Sequence, residues 1–108
     1  MTIKFIDNEK GNPPGKLADA ELYLDGPLDG LKLIGFAVWE RRGDRATRNV
    51  TFPSRQYSVN GERRSFALLR PAGDQGTTIA LRDQILEAYA AHEAARGELE
   101  QAAGGGRR

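Results

Sequence analysis

The chain has 108 residues, no cysteine, and 16 basic against 15 acidic side chains, for a net charge of +1 at pH 7. A chain of this length makes one domain with a single core, and the absence of cysteine excludes a disulfide framework or a thiolate metal site. The near-neutral total hides a strong asymmetry. Residues 41–70 hold eight arginines against only Asp44 and Glu62, a local +6, while the other 78 residues sum to −5.

Alternation of apolar and polar residues dominates the first seventy positions. Ile3 and Phe5 open a short strand with Thr2, Lys4 and Ile6 on its other side. The turn-forming run Asn8–Gly15 cannot continue it. A second strand sets Ala20, Leu22 and Leu24 against Glu21, Tyr23 and Asp25, and Asp25-Gly26-Pro27 closes it. The third, Leu31–Glu40, is apolar on both faces, as a central strand is, and its Gly35 marks a bulge or bend. Arg42-Gly43-Asp44 is a tight turn into a fourth strand, Thr47–Phe52, which Pro53 stops because it has no amide hydrogen to donate. A loop containing the turn dipeptide Asn60-Gly61 leads to a fifth strand, Arg63–Arg70. In it Arg64, Phe66, Leu68 and Arg70 alternate with Ser65, Ala67 and Leu69.

After Pro71–Gly76 the period changes. Leu81, Ile85, Ala88, Tyr89 and His92 share one face at helical spacing, with Leu86 flanking. Thr77 or Thr78 is the expected N-cap, and the helix is expected to fade near Arg96-Gly97. The predicted architecture is α+β, a five-stranded antiparallel meander covered by one C-terminal helix. It places a domain at residues 1–97 and a flexible polar, Gly-Arg tail at 98–108. No apolar run approaches the length of a membrane-spanning helix, and Met1-Thr2-Ile3-Lys4 does not open a signal peptide, so a cytoplasmic protein is expected.

Catalysis has little to draw on. His92 is the only histidine, and a lone helical histidine is more often a partly buried side chain than a catalyst. Serines 54, 58 and 65 stand in no nucleophile motif, and no glycine run forms a phosphate loop. Neither cofactor, metal nor small-molecule substrate is expected. Binding has more support. An all-arginine cluster attracts phosphate through its planar forks, and Phe36, Trp39, Phe52, Tyr57 and Phe66 are interleaved with it. Rings on a sheet can stack on bases while arginines follow the phosphates. Phe36, Phe52 and Phe66 read as core beneath the helix. Tyr57, in the loop, has the most available ring, and Trp39 fits core or interface.

Phe52-Pro53-Ser54-Arg55-Gln56, followed by Asn60-Gly61-Glu62, resembles the Met-Pro-Ser-Arg-Lys and Asn-Gly-Glu segment of the SpoVG (stage V sporulation protein G, septation regulator) family. The likeness extends to Leu33–Glu40, to Arg70-Pro71 where that family has His-Pro, and to Ile85-Leu86-Glu87-Ala88-Tyr89. It covers residues 3–92. The resemblance implies a small, dimeric, cytoplasmic DNA- or RNA-binding regulator of division and sporulation, with Ser54 and Arg55 in the binding segment. Gln56 stands where the family has lysine and supplies no charge. Charge adds Arg41, Arg42, Arg45 and Arg48 on the neighbouring hairpin, Arg63 and Arg64 on the returning strand, and Tyr57 for stacking. The alternative is a protein–protein adaptor that uses an exposed sheet edge and the basic patch without touching nucleic acid.

Overall fold

The computed structural model describes residues 1–105. Four strands form an antiparallel meander in the order β1 (Thr2–Asp7), β2 (Lys16–Tyr23), β3 (Lys32–Arg41), β4 (Asp44–Thr51). A short 3-10 turn, Gly26–Leu28, links β2 to β3. Then come β5 (Ser54–Val59) and β6 (Glu62–Ala67), which pair only with each other, and helix α1 (Gly76–Gly105).

Side chains alternate across the sheet because successive residues of a strand point to opposite faces. Ala18, Ala20 and Leu22 of β2 therefore share a face with Ile3 and Phe5 of β1, Phe36 and Val38 of β3 and Val50 of β4. The helix lays Ile85 and Tyr89 on that face, with Leu81 and Leu86 beside them, and together these residues make the core. The Tyr89 ring meets Phe5 edge-on at 5.2 Å, and Phe36 meets Phe52 in the same manner at 5.3 Å. The opposite face is open and polar, with Lys4 and Lys32 over the ring of Tyr23 and ion pairs from Lys16 to Asp19 and from Lys32 to Glu21. Trp39 lies half-buried on this side and donates its indole N–H to the Thr51 hydroxyl at 2.8 Å.

Gly35 is a bulge, as its place in an apolar strand implied. Ala20 pairs with Phe36 and Leu22 with Leu33, so β3 carries one residue more than β2 across this step. Gly35 sits at φ +104°, and a Cβ there would lie 3.0 Å from the Cβ of Pro53. The missing side chain lets the buried Pro53 close over the strand.

Three expectations are corrected. The sheet is not one five-stranded meander. Residues 54–59, expected as a loop, form a strand, and the Asn60-Gly61 turn, with φ of 52° and 81°, returns the chain directly onto it. Positive φ at both positions defines the hairpin turn whose twist suits paired strands. The fifth predicted strand thus pairs with its immediate predecessor and not with β4. Second, α1 does not fade at Gly97 and continues to Gly105. Glu98-Leu99-Glu100-Gln101-Ala102-Ala103 are strong helix formers that outweigh the cost of about 1 kcal/mol for one interior glycine. The expected tail is helical over most of its length, and its Arg107-Arg108 end lies outside the described residues. The helix start also differs. The Asp74 carboxylate accepts the Gly76 amide at 2.8 Å, and its carbonyl accepts that of Thr77 at 3.1 Å. Asp74, not Thr77 or Thr78, holds the first turn. Among the described residues no helix is long and apolar enough to cross a membrane.

Candidate nucleic-acid interface

The β5–β6 ribbon is exposed at every position on both faces. Its register decides which side chains meet. Arg55 lies opposite Phe66, Tyr57 opposite Arg64, and Val59 opposite Glu62, all on one face; Ser54, Gln56 and Ser58 lie opposite Ala67, Ser65 and Arg63 on the other. The first face is therefore an alternation of arginines and rings, and the second is nearly uncharged. Arg55, Tyr57 and Phe66 line a shallow depression of about 360 Å³. Tyr57 is 42% exposed and Phe66 49%. The Arg70 guanidinium lies 4.1 Å from the centroid of the Phe66 ring, and its Nε donates to the Ala67 carbonyl at 2.9 Å. Arg64 pairs with Glu62 at 3.2 Å, an exposed contact of small energetic weight.

This geometry splits the set of residues expected to act together. Ser54 and Arg55 are neighbours in sequence and face opposite ways, and the Ser54 hydroxyl accepts the Gln56 amide at 3.3 Å. Arg63 faces away from Arg55 and Arg64 for the same reason. Phe66 is not core, contrary to expectation. Among the described residues no layer covers the ribbon, so the rings on its face meet solvent. A signal for this was present, because the alternation that groups Phe66 with Arg64 and Arg70 puts it on a face two arginines keep in water.

The second cluster sits at the β3–β4 turn. Arg42-Gly43 has φ of 53° and 74°, the same positive pair as the ribbon turn, and it projects Arg41, Arg42 and Arg45 outward. The Arg41 amide is held by the Thr47 hydroxyl at 2.8 Å. Arg41 and Arg42 also border a groove of about 460 Å³ beside Trp39, Gly15 and Glu40. Arg45 is 75% exposed and reaches Glu93 at 3.2 Å.

Arg48 does not belong with these. Its side chain is 11% exposed, its Nε donates to Glu40, and its two terminal nitrogens grip Glu93 of α1 at 3.2 and 2.9 Å. The guanidinium also lies 5.2 Å from the Tyr89 ring centroid. Hydrogen bonds from Arg48 hold the Glu93 carboxyl below its ordinary range, against the opposing effect of burial. Arg48 is a clamp between sheet and helix, its guanidinium committed to two carboxylates and largely withdrawn from the surface. A parallel clamp joins β1 to α1. Asp7 takes His92 Nε2 at 3.1 and 3.2 Å and Arg96 at 2.9 Å. Burial alone would raise the Asp7 carboxyl, and the hydrogen bonds from His92 and Arg96 outweigh it and lower it. His92 is thus the partly buried side chain expected of it. Nothing in the local sequence announces either clamp, whose partners stand 45 and 85 residues apart.

Comparison of the chain with protein-family models, with curated proteins and with solved structures yields no match, so the reading of this surface rests on its own residues and geometry.

Proposed function

We propose that this chain is a small cytoplasmic regulator of the SpoVG type that binds DNA or RNA as a homodimer, acting by binding and not by catalysis. The observation that carries the proposal is the ribbon face on which Arg55 and Arg64 alternate with two exposed rings. A two-stranded ribbon with no layer against it is marginally stable alone, and this one displays a polyanion's complement. Arg41, Arg42 and Arg45 on the β3–β4 turn extend the positive surface. Exposed Leu28, Leu31 and Ile34, at one end of the main sheet, support self-association.

The test is fluorescence anisotropy with labelled DNA and RNA at low and physiological salt. Affinity is expected to fall steeply with salt, since each neutralised phosphate contributes about −0.7 to −0.9 to the slope of log affinity against log salt. Arg55→Glu with Arg64→Glu should abolish binding at physiological salt, while Arg63→Glu, on the other face, should cost much less. A flat titration with every oligonucleotide would reject the proposal in favour of a protein–protein adaptor.

A further inference from the structure

Where a ribbon meets nucleic acid, its side chains determine which form of the polymer it can hold. Arg55 stands directly across from Phe66 and Tyr57 directly across from Arg64, so the two rings occupy one diagonal of a checkerboard and the two guanidinium groups the other. Diagonal neighbours on one face of an antiparallel pair are about 7–8 Å apart. Both rings are about half exposed, and among the described residues the Tyr57 ring joins no aromatic pair and its hydroxyl no hydrogen bond. The charge on this face is carried by Arg55, Arg64 and Arg70, opposed only by Glu62, which Arg64 already engages.

We infer that this face binds single-stranded polynucleotide, with adjacent bases stacked on Tyr57 and Phe66 and the intervening phosphates held by Arg55 and Arg64. The inference rests on the nucleic-acid reading above and names the form of the ligand. A duplex stacks its bases on each other and offers only their edges in the grooves. A ribbon lying in a major groove would use its arginines there and leave both rings without a face to cover. An unpaired strand offers open base faces at every nucleotide, and stacking on an aromatic ring tolerates any base. Arg70, already over Phe66, adds a cation beside that stacking site.

The experiment titrates the full-length chain with a single strand, the corresponding duplex and an abasic strand of equal length, each made as DNA and as RNA. The single strand is expected to bind more tightly than both the duplex and the abasic strand, with the base-dependent part worth about 10-fold or more. Tyr57→Ala and Phe66→Ala should each weaken single-strand binding by about 5- to 100-fold without changing its salt slope, and Tyr57→Phe and Phe66→Tyr should bind as wild type. Duplex binding equal to or tighter than single-strand binding would overturn the inference and leave the proposed function standing. So would abasic binding equal to that of the intact strand, a result that needs no variant to fold. A wild-type dimer that both alanine variants convert to monomer in light scattering would put a second copy on this face and also overturn it. Binding to none of the oligonucleotides would reject the nucleic-acid reading itself.

Discussion

Replacing Arg48 by alanine tests the assignment of that arginine to the fold. The guanidinium donates to Glu40 and, bidentately, to Glu93, and the three side chains are 11%, 10% and 23% exposed. Truncation removes the cation and strands two carboxylates that the fold keeps largely from water. Breaking a buried pair in this way costs about 3–5 kcal/mol. Glu93 is the more accessible of the two and keeps Arg45 at 3.2 Å, which puts the expected loss near the lower limit, about 3 kcal/mol. In a domain whose total stability is about 5–15 kcal/mol, that loss lowers the melting temperature by about 12–24 °C. Urea unfolding followed by circular dichroism and Trp39 fluorescence measures it, with an unchanged denaturant slope as the sign that the same structure unfolds.

The pH dependence supplies a second reading of the same clamp. The folded Glu93 carboxyl titrates below its unfolded counterpart, so its contribution is present above the unfolded value of about 4.3 and is lost as pH falls through the folded one. Wild type and Arg48→Ala should therefore differ most near neutrality and converge in acid. Arg48→Met combined with Glu40→Gln and Glu93→Gln should recover much of the loss, because a neutral replacement strands no charge. A cost under about 1 kcal/mol for Arg48→Ala, typical of a surface pair, would refute the clamp and return Arg48 to the candidate binding surface.

Three further outcomes are expected. Gly35→Ala should destabilise by about 1–3 kcal/mol in chemical denaturation, since it puts a side chain at φ +104° and against Pro53; unchanged stability would refute this backbone conformation at position 35. Asp7→Asn should flatten the acid limb of thermal unfolding measured from pH 7 to pH 2. The lowered Asp7 carboxyl stabilises above about pH 3.9 and loses that contribution as pH falls through its folded value. In hydrogen exchange, the β5–β6 amides should exchange far faster than those of Ala20 and Val38, because the ribbon lacks buried apolar contacts; equal protection would show that ribbon and core open together.

Much of the fold was legible wherever a side chain's neighbours are close in sequence or its strand has one wet and one dry face. Ala20 and Leu22 alternate, Ile85 and Tyr89 recur at helical spacing, Pro53 ends a strand, and Gly35 bends one. The strand at residues 54–59 was not recognised, because only Tyr57 and Val59 are apolar in it and its polar residues read as loop. The Asn60-Gly61 dipeptide was the available signal that it pairs with the strand that follows. Phe66 was misplaced by treating size and hydrophobicity as burial, although Arg64 and Arg70 on the same face argued otherwise. The surface arginines of the candidate site were visible as a charge cluster, whereas Arg48 differed from them only through Glu93, 45 residues away. Its role is set by tertiary geometry that no local pattern encodes.

The separation of the two sheets has a consequence for how this protein can change. The ribbon joins the body through the buried Pro53, whose carbonyl accepts the Leu68 amide at 3.0 Å, and its own side chains contribute nothing to the core. Substitutions at 55, 57, 64 and 66 should therefore combine additively with those in the core. The exposed hairpin can accumulate mutations, or be exchanged for another of the same length, while the four-stranded body folds as before. Under the proposed function, ligand preference and foldability are heritable independently, and a library confined to those four positions is expected to sample new specificities on an unaltered scaffold.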